Sequence, residues 1–152
     1  MFNCSWFRIW SFNGCWYSLI LTEDHSYLPW LVSLVPFFLI NNLLLLNQYP
    51  DIKADTSVGR NIFPIAFGLS KSNFVYTLFL MTAYLLILIY IVNGYIPKLS
   101  IIAIIPIVFS LYSLHGANKY TSRIGDFPQY LGANVAAAIV TPLLLGISIM
   151  IT

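Results

Sequence analysis

The residues of this 152-residue chain whose types and spacing could do chemistry lie in one polar stretch, positions 47 to 60, reading NQYPDIKADTSVGR. Asn47, Asp51 and Asp55 recur every four residues. If the stretch continues the preceding apolar helix, the three side chains stack on one face. Two carboxylates on one stripe can share a divalent cation. Gly59 and Arg60 follow, a flexible point and then a planar guanidinium, which suits a phosphate lying against that cation. Hard oxygen ligands beside cations fit Mg²⁺, which takes one or two carboxylates, keeps waters and bridges to phosphate oxygens. Spacing alone leaves open a plainer reading, a solvated helix end that binds nothing.

The elements that must position these residues are apolar. Hydrophobic residues make up 59% of the chain and charged residues 8%, and the mean hydropathy is +0.83. Soluble domains carry about 25% charged residues, so this composition predicts an integral membrane protein. A span takes about 20 apolar residues as a helix, which leaves room for about five spans in a single all-α polytopic bundle over residues 1–152. The formal net charge of +2 is too small and too dispersed for nucleic acid. Cys4 and Cys15 have neither CxxC spacing nor a neighbouring His, and read as reduced structural thiols.

In order, residues 1–22 form a weak first span interrupted by Arg8, Asn13 and Gly14, and EDHS at 23–26 is a solvated turn. A second span covers 27–47, with Pro36 as a kink and with Asn41 and Asn42 inside it, where unpaired amides are costly and interhelical hydrogen bonding is the expectation. Pro64 and Gly68 predict a loop or broken helix after the polar stretch. A third span covers 74–94, with Met81 and its tyrosine neighbours as packing residues. A fourth runs from about 100 to 115 and a fifth from about 129 to 151. Gly132, Ala133, Ala136 and Ala137 on the last span are expected to let a neighbouring helix approach, with Asn134 turned inward.

If the spans alternate, Arg8, Lys53, Arg60, Lys71, Lys119 and Arg123 fall on one side of the membrane and Lys98 on the other. The positive-inside rule then puts both long polar loops in the cytoplasm. Those loops offer Asp51, Asp55, Asp126, His115 and the cations. They contain no nucleophilic triad, glycine-rich phosphate loop or zinc spacing.

The run NQYPDIKADTSVGRNIFPIAFG resembles the second aspartate-rich motif of the UbiA superfamily of membrane prenyltransferases, and in particular the 1,4-dihydroxy-2-naphthoate polyprenyltransferase branch. That branch shows N-x-x-x-D-x-x-x-D-x-x-x-G-[KR] after a long apolar helix, and Asn47, Asp51, Asp55, Gly59 and Arg60 match it position for position. The resemblance implies the C-terminal part of a nine-helix fold around a central cavity. It also implies Mg²⁺ on Asp51 and Asp55, assistance from Asn47, and diphosphate contacts from Arg60 and Lys53. An isoprenyl diphosphate would donate its prenyl group to an aromatic acceptor, as in isoprenoid quinone biosynthesis. The expected membrane is the plasma membrane.

The family's first motif, an N-D-x-x-D run, has no counterpart before residue 47, where the only acids are Glu23 and Asp24. The expectation is therefore a partial domain, inactive alone, that works with a separate N-terminal half or a second copy. The rival reading is a non-catalytic membrane scaffold or transporter subunit.

Overall fold

The structure, a computed structural model, describes residues 28–151. Every regular element in it is helical. Helix α1 covers Leu28–Asn47, the short α2 and α3 cover Ile52–Ser57 and Phe63–Phe67, and α4 covers Leu69–Val92. A 3₁₀ segment at Lys98–Ile104 leads into α5 at Ile107–Tyr120. A second, at Thr121–Asp126, leads into α6 at Pro128–Ile151. Among the described residues, four stretches are long and apolar enough to cross a membrane: Pro29–Asn47, Leu69–Val92, Lys98–Tyr120 and Pro128–Ile151. Helices satisfy every backbone group internally, which lipid requires of any spanning segment. The expected first span and the EDHS turn lie outside the described residues.

Two span boundaries move from their expected places. α4 starts at Leu69 and not at 74, because Gly68, at φ +85°, turns the chain and lets SKS join the helix. The fourth span reaches Tyr120 and so takes in His115 and Lys119. Its first part is 3₁₀ and its second part α, with Pro106 at the change of winding, where proline removes a backbone donor. The break foreseen at Pro64 and Gly68 is present as the short α3. α1 continues as one helix through Pro36.

Helix α4 packs on α1, and α6 packs on α1, on α5 and on the first 3₁₀ segment. The core between them is laced with polar pairs. Asn42 donates to the Tyr76 carbonyl at 3.0 Å, the Tyr76 hydroxyl donates to Asn134 Oδ1 at 2.9 Å, and Asn134 Nδ2 donates to the Asn42 carbonyl at 3.3 Å. One rung lower, the Tyr84 hydroxyl meets Ser110 and Thr141, and Ser100 meets Ser148 at 2.8 Å. Asn42 and Asn134 therefore join helices as expected, whereas Asn41 bonds back to Phe37 on its own helix. Tyr76 and Tyr84 do more than pack, and Met81 faces outward at 53% exposure. Gly132 also differs from expectation, since it is exposed and nothing stands within 4 Å of the place its Cβ would take. The close approach is made at Gly116 of α5, where a Cβ would overlap the Tyr130 ring of α6.

This up-and-down order places the 48–68 segment and the 121–127 segment at one end of the bundle and the 93–97 turn at the other. Among the described residues, Lys53, Arg60, Lys71, Lys119 and Arg123 gather at the first end and Lys98 lies at the second. The described cations thus divide between the two ends of the bundle, and Arg8, the remaining member of the expected split, lies outside the described residues.

Candidate functional site

The site begins where α1 stops. Pro50 lacks a backbone donor and disfavours helical geometry in the residue before it. The chain accordingly leaves α1 at Asn47 and makes tight turns through Gln48, Tyr49 and Pro50. The single continuous stripe expected for Asn47, Asp51 and Asp55 does not form, since Asn47 ends one helix and the aspartates belong to the next. Asp51 is the N-cap residue of α2, and its carbonyl accepts the Asp55 amide at 2.8 Å. The two aspartates remain one helical turn apart on a common side. Lys53, two positions from each, lies around the helix from both.

The far end of α2 explains the glycine and arginine of the motif. Gly59 has φ +72°. Its amide bonds to the Thr56 carbonyl at 3.2 Å, and the Arg60 amide bonds to the Asp55 carbonyl at 2.9 Å. This is a Schellman cap, in which the residue after the left-handed glycine reaches back across the last turn. The reversal brings Arg60 Nη1 to 3.2 Å from Asp55 Oδ1. The Asp55 side chain is 14% exposed and that of Arg60 is 72% exposed, so a sheltered carboxylate is steered by a solvated guanidinium. Such a half-solvated pair adds at most about 1 kcal/mol to stability. Its main effect is to orient the carboxylate.

The Asp51 side chain makes no capping bond. Among the described residues, no three or more His, Cys, Asp or Glu side chains come together as a metal cage. Two carboxylates one helical turn apart could take a hard cation such as Mg²⁺ only with phosphate oxygens and water completing its shell. Gln48 Oε1 adds an observation that the sequence did not signal. It is a buried acceptor without a donor, three residues before Asp51. An amide oxygen in that condition calls for a cation, a water or a donor group.

The segment before Asp51 is anchored. Tyr49 is fully buried, and its hydroxyl donates to Asn73 Oδ1 of α4 at 2.6 Å. Burial pushes the Tyr49 phenol up to about 12, so it stays neutral and able to donate. The 121–127 segment closes in from the other side. A Cβ on Gly125 would come within 3.0 Å of Pro50 Cβ, so the two polar loops touch. Arg123 pairs with Asp126 at 3.3 Å, and Lys119 stands 5.4 Å from the centre of the Tyr120 ring. His115 is exposed on α5. Tyr49, Asn73 and Gly125 escape a reading of the sequence because nothing local marks a residue whose partner is tens of positions away.

The chain belongs to the UbiA prenyltransferase family, whose family model matches residues 2–138. No curated protein and no solved structure matches it at a significant level.

Proposed function

We propose that this chain carries one half of the diphosphate site of a UbiA-type prenyltransferase, of the 1,4-dihydroxy-2-naphthoate polyprenyltransferase kind. Family membership supports a prenyl transfer reaction. The observation that carries the site is the capped α2, with Asp51 at its start, Asp55 one turn on, and Arg60 folded back onto Asp55.

In this reading Asp51 and Asp55 hold Mg²⁺, with Asn47 assisting, and Arg60 donates to the diphosphate of an isoprenyl diphosphate. The exposed Lys53 supplies further positive charge at the same end. Bound Mg²⁺ supplies positive charge against the oxygens of the departing diphosphate. The bond between the allylic carbon and the diphosphate oxygen breaks, and its electron pair leaves with the diphosphate. The acceptor's aromatic carbon then bonds to the allylic carbon, and the proton it carried passes to water, which restores the aromatic ring. Arg60 meets the negative charge as it develops, and a guanidinium gives a planar pair of donors for that purpose.

The chain forms a single transmembrane domain in a plasma membrane, with the polar loops on the cytoplasmic side and the apolar helix faces against lipid. In this reading a complete site needs an opposing acidic run, supplied by an N-terminal half or by a second copy. The test is binding of an isoprenyl diphosphate to the purified chain in detergent, with and without Mg²⁺. Magnesium-dependent binding that Asp51→Ala/Asp55→Ala abolishes is the expected result. Equal binding with and without magnesium, unaffected by the double substitution, would overturn it in favour of a non-catalytic scaffold or transporter subunit.

A further inference from the structure

Between the aspartates and the rest of the bundle runs a short chain of hydrogen bonds. The Tyr49 hydroxyl donates to Asn73 Oδ1 at 2.6 Å. Asn73 Nδ2 in turn donates to Asn118 Oδ1 at 3.0 Å and to the Ala117 carbonyl at 3.4 Å. One carboxamide thus uses both of its ends. It accepts from the residue two positions before Asp51, and it donates to the last turn of α5, just before the second polar loop. The partners lie 24 positions before Asn73 and 44 and 45 after it, so three separate segments meet at one side chain. The contact of Gly125 with Pro50 ties the same two loops a second time.

We infer that Asn73 is a positioning residue for the aspartate pair: through Tyr49 it fixes the turn that delivers Asp51, and through Asn118 and Ala117 it registers that turn against α5 and the second polar loop. The role follows from what the turn lacks. Residues 48–50 belong to neither α1 nor α2 and are tied back to α1 by two backbone bonds of 3.3 and 3.1 Å, while Asp51 is held from the α2 side through its carbonyl, so the placement of the turn depends on side chains. Tyr49 is the fully buried side chain among them, and its one polar atom is spent on Asn73. Residues that orient metal ligands without touching the metal commonly govern its affinity. The inference rests on the reading of Asp51 and Asp55 as magnesium ligands, and its test has one arm that does not.

In the metal-free arm, amide hydrogen exchange is followed in the purified chain and in Tyr49→Phe and Asn73→Leu. Exchange across residues 51–59 rises several-fold in both variants while α6 keeps its protection. Unchanged exchange in 51–59 would overturn the inference whatever the ligand does. Tyr49→Phe removes one hydroxyl and leaves the ring in place, so it serves if Asn73→Leu fails to fold. In the second arm, the Mg²⁺ midpoint for isoprenyl diphosphate binding shifts upward by about tenfold in each single variant, and by no more in the double variant, since both cut the same chain. A purely structural role would lower the melting temperature and leave that midpoint in place, and that result would also overturn the inference. Absence of magnesium-dependent binding in the unaltered chain would sink the functional reading itself, a different failure from unchanged exchange.

Discussion

The ring of Tyr130 occupies the space where a Cβ on Gly116 would stand. α5 and α6 approach at this point as closely as a glycine allows, and the Tyr130 ring there also packs on Tyr112 and Tyr120. Gly116→Ala forces the ring or the helix aside, at a cost of about 1–3 kcal/mol. Gly132→Ala is the control, because nothing lies within 4 Å of its Cβ position. Thermal denaturation in detergent should show a clear drop for the first and no loss for the second.

Gly68 joins α3 to α4 at φ +85° and ψ 157°, a region essentially closed to side-chain-bearing residues. The space around its Cβ position is open. The cost of Gly68→Ala is therefore conformational, about 1–3 kcal/mol, with no clash to relieve. Phe67→Leu, which removes only the ring packed 4.8 Å from that of Phe63, should cost about 0.5–1.5 kcal/mol at most and leaves the backbone of Gly68 untouched, which separates the two effects.

Tyr84→Phe removes a buried hydroxyl that Ser110 and Thr141 share. Side-chain hydrogen bonds inside membrane proteins average about 0.6 kcal/mol and reach about 1.7. A loss in that range, with no effect on magnesium-dependent ligand binding, is expected from denaturation and binding measured on the same preparation.

Arg60→Ala should separate stability from binding. The Arg60–Asp55 pair is solvated on the arginine side, so its loss lowers stability by less than about 1 kcal/mol. Isoprenyl diphosphate binding should weaken by about tenfold, since a charge-assisted donor and the orientation of Asp55 go together. Arg60→Lys restores charge without the planar fork and should recover only part of the affinity.

The Tyr49 phenol is raised to about 12 by burial, above an ordinary value of about 10. Its raised value favours the neutral form in the folded state. The stability it contributes is fully present below about pH 10 and is lost as the pH climbs through about 12. The ultraviolet difference between the chain and Tyr49→Phe should show no tyrosinate below about pH 10 and its full ionisation only at the upper end.

Much of this molecule is legible from the order of its residues. Long apolar runs such as 129–151 could only be membrane helices, and the cations at Lys53, Arg60, Lys71, Lys119 and Arg123 against Lys98 gave the alternation of ends. Gly59 and Arg60 read from the sequence as a flexible point and a phosphate-binding guanidinium, whereas the helix end at Gly59 and the return of Arg60 to Asp55 emerged only with the fold. What stayed hidden depended on distant partners or on competition between local rules. The four-residue spacing of Asn47 with Asp51 suggested one stripe, and Pro50 between them broke it. Gly132, Ala133, Ala136 and Ala137 looked like a packing face, and Ala137 is indeed buried, yet Gly132 is exposed and the close contact falls at Gly116, whose partner Tyr130 lies fourteen positions away.

The rung formed by Asn42, Tyr76 and Asn134 has a consequence for how the protein is made. Asn134 follows Asn42 by 92 residues and Tyr76 by 58. As the chain emerges in order, α1 and α4 enter the membrane with the Tyr76 hydroxyl lacking its acceptor until the last helix arrives. The packing of the two earlier helices is therefore completed only by a side chain of α6, and the order of the chain makes α6 the element that closes the polar rung.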